Sequence, residues 1–425
     1  MRLIKEKNRG IATVLSFALI PLTGLATDVY LPSLPSMAAD LHVSAGAIQS
    51  SLLVFLVSAG LSQLFVGSIL DSFGRYRITI GALLLFSLAS FVIANTGSVA
   101  VLFAMRAVHG ITVAIIVVSK RAYFLDTFDG EKLKNYTSLF SIVWATAPIV
   151  APFVGGYLQT AFGWHGSFYF LGFYTLTVLA LDLLFGGESL KQFSPFRPAA
   201  ILNTYGSMLR TKDYGMALGI IGLSYSLLMI YGMTSPFIIE HIYHFSPIIT
   251  GYSSLLSGVA LMAGGIISKS IIHKPLDRKV PVAMGVQILV AAGMIAVSTL
   301  YLSNIYTLLV FVMLLNVGAG FIFNNLFSYA LGRFHGHGGI VSGLTGGSLF
   351  VITSIFSYGS VNVFSIKNQS ALSVAYLVFV LLGVIAFMLF QRYRYRGTAK
   401  LAGHEHSSAA AATAAPAAAE AMYTH

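Results

Sequence analysis

The 425-residue chain has no cysteine, which excludes a disulfide framework, a thiolate metal site and a cysteine nucleophile. Charge is scarce as well. Asp, Glu, Lys and Arg make up 9% of the residues, where a soluble domain carries about 25%. So few polar groups cannot cover a water-facing surface, and lipid is the solvent that fits. The chain shows no P-loop, no nucleophile beside a base, no His-Glu-x-x-His zinc spacing and no long polar domain. These absences argue against an ATP-driven pump, a membrane enzyme and a receptor. His335 and His337 sit in a glycine-rich turn, and His404 and His406 flank Glu405 in the C-terminal tail. Neither pair is read as a metal site, and no cofactor is expected.

Hydrophobic residues make up 56% of the chain and its mean hydropathy is +0.82. A membrane-crossing helix needs roughly 20 apolar residues. Twelve such runs are read, at 11–31, 46–70, 77–95, 99–119, 136–158, 164–185, 214–239, 248–268, 281–301, 305–330, 339–361 and 371–391. The expected fold is an all-α membrane protein. With residues 1–10 on the cytoplasmic side, every Lys and Arg except Lys367 and Arg106 falls in an inner segment. A missed or invented span would destroy this asymmetry, so the positive-inside pattern supports twelve spans with both termini cytoplasmic. The formal charge of +11 is then topological, and no nucleic-acid partner is expected.

A polar linker at 186–213, containing Pro195 and Pro198, divides the spans into 11–185 and 214–391. Gly265-Ile-Ile-Ser-Lys269, followed by Arg278-Lys279, faintly repeats the Gly67-x3-Asp71 spacing half a chain away. Two pseudo-symmetric six-helix bundles are expected. Residues 392–425 form a low-complexity cytoplasmic tail, read as disordered from about 401 onward.

Asp28 lies near the outer end of the first run and Arg106 lies within the fourth. A carboxylate in lipid is costly and faces a partner or a wet cavity. From the helical rise the two depths differ by about one turn, so Asp28 and Arg106 can pair across the bundle. Arginine keeps its charge whereas aspartate can lose its own. The pair is therefore the candidate for proton coupling; the alternative is a static ion pair that locks two helices.

Gly67-Ser-Ile-Leu-Asp71-Ser-Phe-Gly74-Arg75-Tyr-Arg77 links the second and third runs. Its glycines permit close approach and a tight turn. Asp71 can accept hydrogen bonds from a helix N-terminus and from Arg75 or Arg77, forming a latch. In the fifth run, Pro148, Ala151, Pro152, Gly155 and Gly156 interrupt helix bonds and admit a close neighbour. Tyr30, Gln49, Trp144, Tyr225, Tyr231, Asn316 and Asn324 are candidate lining residues of a substrate cavity, or equally helix-to-helix contacts. Lys120, Arg121 and Asp126 are read as an interfacial cluster, and Asp182 as reaching the headgroups.

These motifs carry a resemblance. Gly67 to Arg77, Arg106 to Gly110 and Ala147 to Gly156 are similar to motifs A, B and C of the twelve-span drug:proton antiporters of the major facilitator superfamily. Thr27-Asp-Val-Tyr-Leu-Pro-Ser-Leu-Pro35 and Ala38-Ala-Asp-Leu-His-Val-Ser44 most resemble the Bcr/CflA subfamily. The resemblance covers roughly residues 10–395. It implies two bundles rocking around a central cavity, proton-coupled export of small amphipathic or apolar molecules, and a bacterial inner-membrane location. Asp28 and Arg106 would couple protons, Asp71 would gate, and Pro148 to Gly156 would form the hinge surface. A small-molecule substrate, a lipid bilayer and a monomeric state are the expected partners and assembly. A dedicated exporter of one metabolite or siderophore, and a proton-coupled importer, remain as alternatives. His109 stands where motif B commonly has glutamine, adding a titratable group.

Overall fold

The computed structural model describes residues 3–420 except 191, 197, 301 and 335–337; side chains are not described at 134, 138, 141, 142, 144, 145, 200 and 396–420. The described chain is helical almost throughout. The first apolar stretch is broken into α1 (Arg9–Leu19), α2 (Leu22–Asp28), a 3-10 turn at Leu31–Ser33 and α3 (Leu34–Asp40). Pro21, Pro32 and Pro35 lie at these junctions, where a residue without an N–H cannot continue the helical ladder.

The long helices follow: α4 (Ala45–Phe73), α5 (Arg75–Ala94), α6 (Val99–Thr127) and α7 (Gly130–Phe185). After a linker come α8 (Pro198–Arg210), α9 (Lys212–Phe237), a π turn at Ile238–Ile242, and α10 (Pro247–Ser270). The chain ends with α11 (Leu276–Thr299), α12 (Ile305–Gly332), α13 (Gly338–Val363) and α14 (Gln369–Glu420). Local chemistry sets the boundaries. The Ser44 hydroxyl accepts from the Ala47 N–H at the start of α4, and Asn304 with Thr307 forms a capping box on α12. Gly74 stops α4 at φ 92°, a conformation that favours glycine.

Eleven helices among the described residues are long and apolar enough to cross a membrane, against the twelve runs read from sequence. The difference lies in α7, which holds the fifth and sixth runs together. Its backbone leaves helical geometry at Gly163, φ 66° and ψ −174°. The two arms do not lie end to end. A β-carbon on Gly155 would overlap the Val29 carbonyl oxygen, and the Ser167 hydroxyl donates to that same oxygen at 3.4 Å. In a straight helix these residues would stand about 18 Å apart. The chain therefore folds back at Gly163. At the other terminus, α14 runs helical to Glu420, where a disordered tail was expected. Alanine is the strongest helix former, which favours helix over this alanine-rich stretch.

Loops gather at two ends. Arg75, Asp126 and Ser189 meet at one, here termed the Asp71 end. Trp164 meets Asp40, and Tyr169 meets Asn95, at the other, the Asp40 end. The linker read as polar holds an amphipathic helix: Tyr205 and Met208 of α8 are buried, and the Tyr205 hydroxyl donates to the Leu64 carbonyl.

Candidate functional site

Asp28 closes α2 and is 2% exposed. It lines a cavity with Leu31 of the 3-10 turn, Pro148 and Pro152 of α7, Leu228 to Gly232 of α9 except Ile230, and Ser254 and Ser257 of α10. The cavity is about 20 Å³, room for one water. Asp28 Oδ1 has no hydrogen-bond partner, and neither do the hydroxyls of Tyr231 and Ser254 in the same cavity. A buried carboxylate oxygen left unbonded is unusual and marks a place where a proton or ligand can bind.

Arg106 is fully buried in α6. The expected ion pair with Asp28 is absent: neither residue is in a salt bridge among those described. Arg106 Nη1 instead donates to the Ala26 carbonyl at 3.0 Å, two residues before Asp28. Its guanidinium lies 4.7 Å from the Tyr30 ring centre and 4.2 Å from that of Phe55. Two desolvated cation–π contacts of about 2 kcal/mol each can rival a buried ion pair without fixing the carboxylate. Arginine thus braces α2 through its backbone and leaves the acid free. His109 closes the cluster, stacked on Phe86 and bonded through Nε2 to Ser90.

The other cavity candidates separate. Tyr231 lines the cavity. Tyr225 packs against Phe323, with Asp28 as an electrostatic neighbour. Tyr30 is held by Ser51 at 2.9 Å, and Gln49 Nε2 donates to the Met233 carbonyl at 2.7 Å. Asn316 donates to Ser257 of the cavity wall at 2.8 Å, while Asn324 bonds its own helix at the Gly320 carbonyl. The side chain of Trp144 lies outside those described.

The proline–glycine surface of α7 is a packing seam. A β-carbon at Gly251 would collide with the Pro152 carbonyl, one at Gly258 with that of Pro148, and one at Gly156 with that of Pro247. Ala151 is fully buried. Small residues on both sides bring α7 and α10 into backbone contact. Gly60 of α4 meets the Gly347 carbonyl of α13 in the same way.

At the Asp71 end the charges are bonded. Arg75 bridges Asp71 at 2.9 Å and also pairs with Asp126. The α5 N-terminus is capped by Glu188, not by Asp71 as expected: Glu188 accepts from the Arg75 and Tyr76 N–H groups at 3.2 and 3.0 Å. Arg77 is exposed and in no salt bridge among the described residues. Gly74 makes the turn, whereas Gly67 has open space around it and allows no close approach. Asp182 does not reach the headgroups. It is 2% exposed and paired with Lys120. Asp126 and Lys120 are thus internal bridges, not an interfacial cluster. Sequence reasoning missed Glu188; its place directly after Gly186-Gly187, at the start of the linker, was the available signal.

Comparison with known proteins agrees with this architecture. Residues 17–358 match the family model of the Major Facilitator Superfamily. An uncharacterised transporter of that type from Bacillus subtilis, YdgK, is 29% identical over 85% of this chain and 91% of its own length. The multidrug resistance protein MdtL of Escherichia coli O81 is 27% identical over 78% and 84% respectively. A bicyclomycin resistance protein homolog of Haemophilus influenzae is 32% identical over 48% of this chain and 51% of its own length. Among solved structures, a bacterial homolog of the human lysosomal transporter Spinster, in an inward-facing unoccupied conformation, superposes with TM-score 0.69 at 14% identity. The alignment covers 92% of this chain and 98% of that one. At that identity the likeness speaks for the fold alone. The chain is an integral membrane protein and belongs to the major facilitator superfamily.

Proposed function

We propose that the protein exports small amphipathic or apolar molecules in exchange for protons, by alternating access. The observation that carries this reading is Asp28: a carboxylate buried at 2% exposure among four packed segments, with one oxygen unbonded. Inward protons would bind there and supply the driving force, with Arg106 beside it setting the local field. The relatives named for multidrug and bicyclomycin resistance support the efflux direction.

In this reading α7 crosses twice, giving twelve crossings in bundles at 11–185 and 214–391. Both termini are cytoplasmic, in a bacterial inner membrane. The Asp71 end faces the cytoplasm, and Arg75 with Asp71 and Asp126 holds the gate loop. Pro148, Ala151, Pro152, Gly155 and Gly156 form the surface on which the bundles rock, and Tyr231, Tyr225 and Asn316 border the substrate path. The working unit is a monomer with protons as the coupling ion and no other cofactor.

The test is substrate-induced proton release from energised inside-out vesicles, across cationic, neutral and zwitterionic compounds, for wild type and Asp28→Asn. A wild-type response that vanishes in the variant is the expected result. Equal responses in both would overturn the role of Asp28. Silence to every compound in correctly inserted wild type would point to a dedicated metabolite exporter or an importer.

A further inference from the structure

Between α9 and α10 a row of buried polar side chains lies between the Asp28 cavity and the Asp40 end. It begins at Tyr231, which lines the cavity and whose hydroxyl has no hydrogen-bond partner. The hydroxyls of Ser235 and Ser253 lie beside it, within interacting range. Ser235 Oγ is itself without a partner. One turn further, the Ser253 hydroxyl donates to the Thr250 carbonyl at 2.8 Å, and the Thr250 hydroxyl donates to Glu240 Oε1 at 3.1 Å. Ser235, Thr250, Ser253 and Tyr231 are each at most 1% exposed.

Glu240 is the one acid on this line besides Asp28. It sits in the π turn Ile238–Ile242, a rare geometry that recurs at functional sites. The turn ends where His241 and Ile242 are exposed, so the carboxylate stands between the buried line and the surface. Among the described residues no cation pairs with it. The group bonded to it is the Thr250 hydroxyl from α10; of its titratable sequence neighbours, His241 packs against Phe237 and the Tyr243 hydroxyl donates to Gln369 of α14. A carboxylate held only to scaffold α9 would not need unbonded hydroxyls leading inward from it, and such hydroxyls are costly to bury.

From this arrangement we infer that Glu240 is a second proton-binding group, the port through which protons from the Asp40 end reach Asp28. The inference rests on Asp28 being the coupling site. Glu240 takes a proton from water at the surface. It passes that proton to the Thr250 hydroxyl, and water molecules bridging Thr250, Ser253, Ser235 and Tyr231 carry it on, each oxygen accepting one proton and releasing another. The last release protonates Asp28. Glu240 returns to carboxylate, and no bond other than O–H is made or broken. The route lets protons pass the Asp40 end while α7 and α10 remain packed there against larger molecules.

The test needs no substrate. Wild type, Glu240→Gln, Glu240→Asp, Ser235→Ala and Asp28→Asn would be placed in lipid nanodiscs and stepped to low pH. Protonation of Asp28 would be followed as the carboxyl C=O infrared band that Asp28→Asn removes. The expected result is a band that rises about 100-fold more slowly in Glu240→Gln. Ser235→Ala should also be slow, and Glu240→Asp should recover most of the rate. An unchanged rate in Glu240→Gln overturns the port while leaving Asp28 as coupling site. If wild type and Asp28→Asn show the same bands, the coupling reading itself falls, and the port with it.

Discussion

At the Asp71 end, Arg75 meets two carboxylates, Glu188 takes two backbone N–H groups, and Lys120 meets Asp182. At the centre, Asp28 and Arg106 each keep an atom with no partner, and Tyr231 and Ser254 keep unbonded hydroxyls. Both regions gather charge in an apolar protein, yet in one the carboxylates are paired, with Arg75 Nε the atom left over, while in the other the carboxylate itself is left open. A saturated network is costly to break and holds one shape. An unsaturated one has the capacity to take a proton or ligand, at a cost to stability. The difference separates a structural clasp from a working site more sharply than residue type does, since each contains an Asp and an Arg.

Substitutions can break this comparison. The largest effect is expected for Asp28→Asn, where gradient-driven transport falls to background while the protein stays in the membrane. Vesicle transport with quantified membrane protein measures it; retained coupling would mean that the open region is not the working one. Next comes Gly156→Leu. Its side chain would enter the space of the Pro247 carbonyl and Ile248, and overpacking of this kind costs about 1–3 kcal/mol. A lower melting temperature in detergent, with slowed transport, is expected. An unchanged melting temperature would show that the seam yields.

The clasp makes a finer prediction. Arg75 is shared by Asp126, 14% exposed, and Asp71, 44% exposed. A buried charged hydrogen bond is worth about 1.5–3 kcal/mol, and an exposed pair about 0–1. Asp126→Asn should therefore lower the melting temperature more than Asp71→Asn, while both retain substrate binding. The reverse order would place the strength of the clasp in the motif aspartate after all.

Much of this was legible in the chain. Hydropathy found the long helices because lipid demands unbroken apolar runs, and Asp28 and Arg106 stood out because charge in such runs is rare. What was not legible depends on three-dimensional partners. Depth along two helices cannot show that Arg106 turns to the Ala26 carbonyl and two aromatic faces. The spacing around Asp71 cannot show that Glu188, over a hundred residues on, reaches the α5 N-terminus first. The reversal between the runs 136–158 and 164–185 was legible from their hydropathy, and the shared approach of Gly155 and Ser167 to Val29 agrees with it, whereas the positive φ that makes the turn at Gly163 was not.

The smallest predicted effect concerns His109, which the sequence presents as an added titratable group beside Arg106. Its surroundings fix the ring. Ser90 donates its hydroxyl proton to the Phe86 carbonyl, so its oxygen accepts from His109 Nε2. Arg106 can only donate, so Nδ1, 3.5 Å away, presents its lone pair. Both nitrogens are thus engaged in the neutral tautomer, and a second proton on Nδ1 would face the guanidinium. His109 is in this respect part of the bonded scaffold. His109→Gln preserves one donor and one acceptor and should leave the pH profile of transport in place, with a rate change of about threefold or less, near 0.7 kcal/mol. His109→Leu removes both and strands Ser90 and Arg106, so it should slow transport further without moving the profile. A shifted profile in the glutamine variant would transfer His109 from the bonded region to the open one and extend the working site along α6 beyond Arg106.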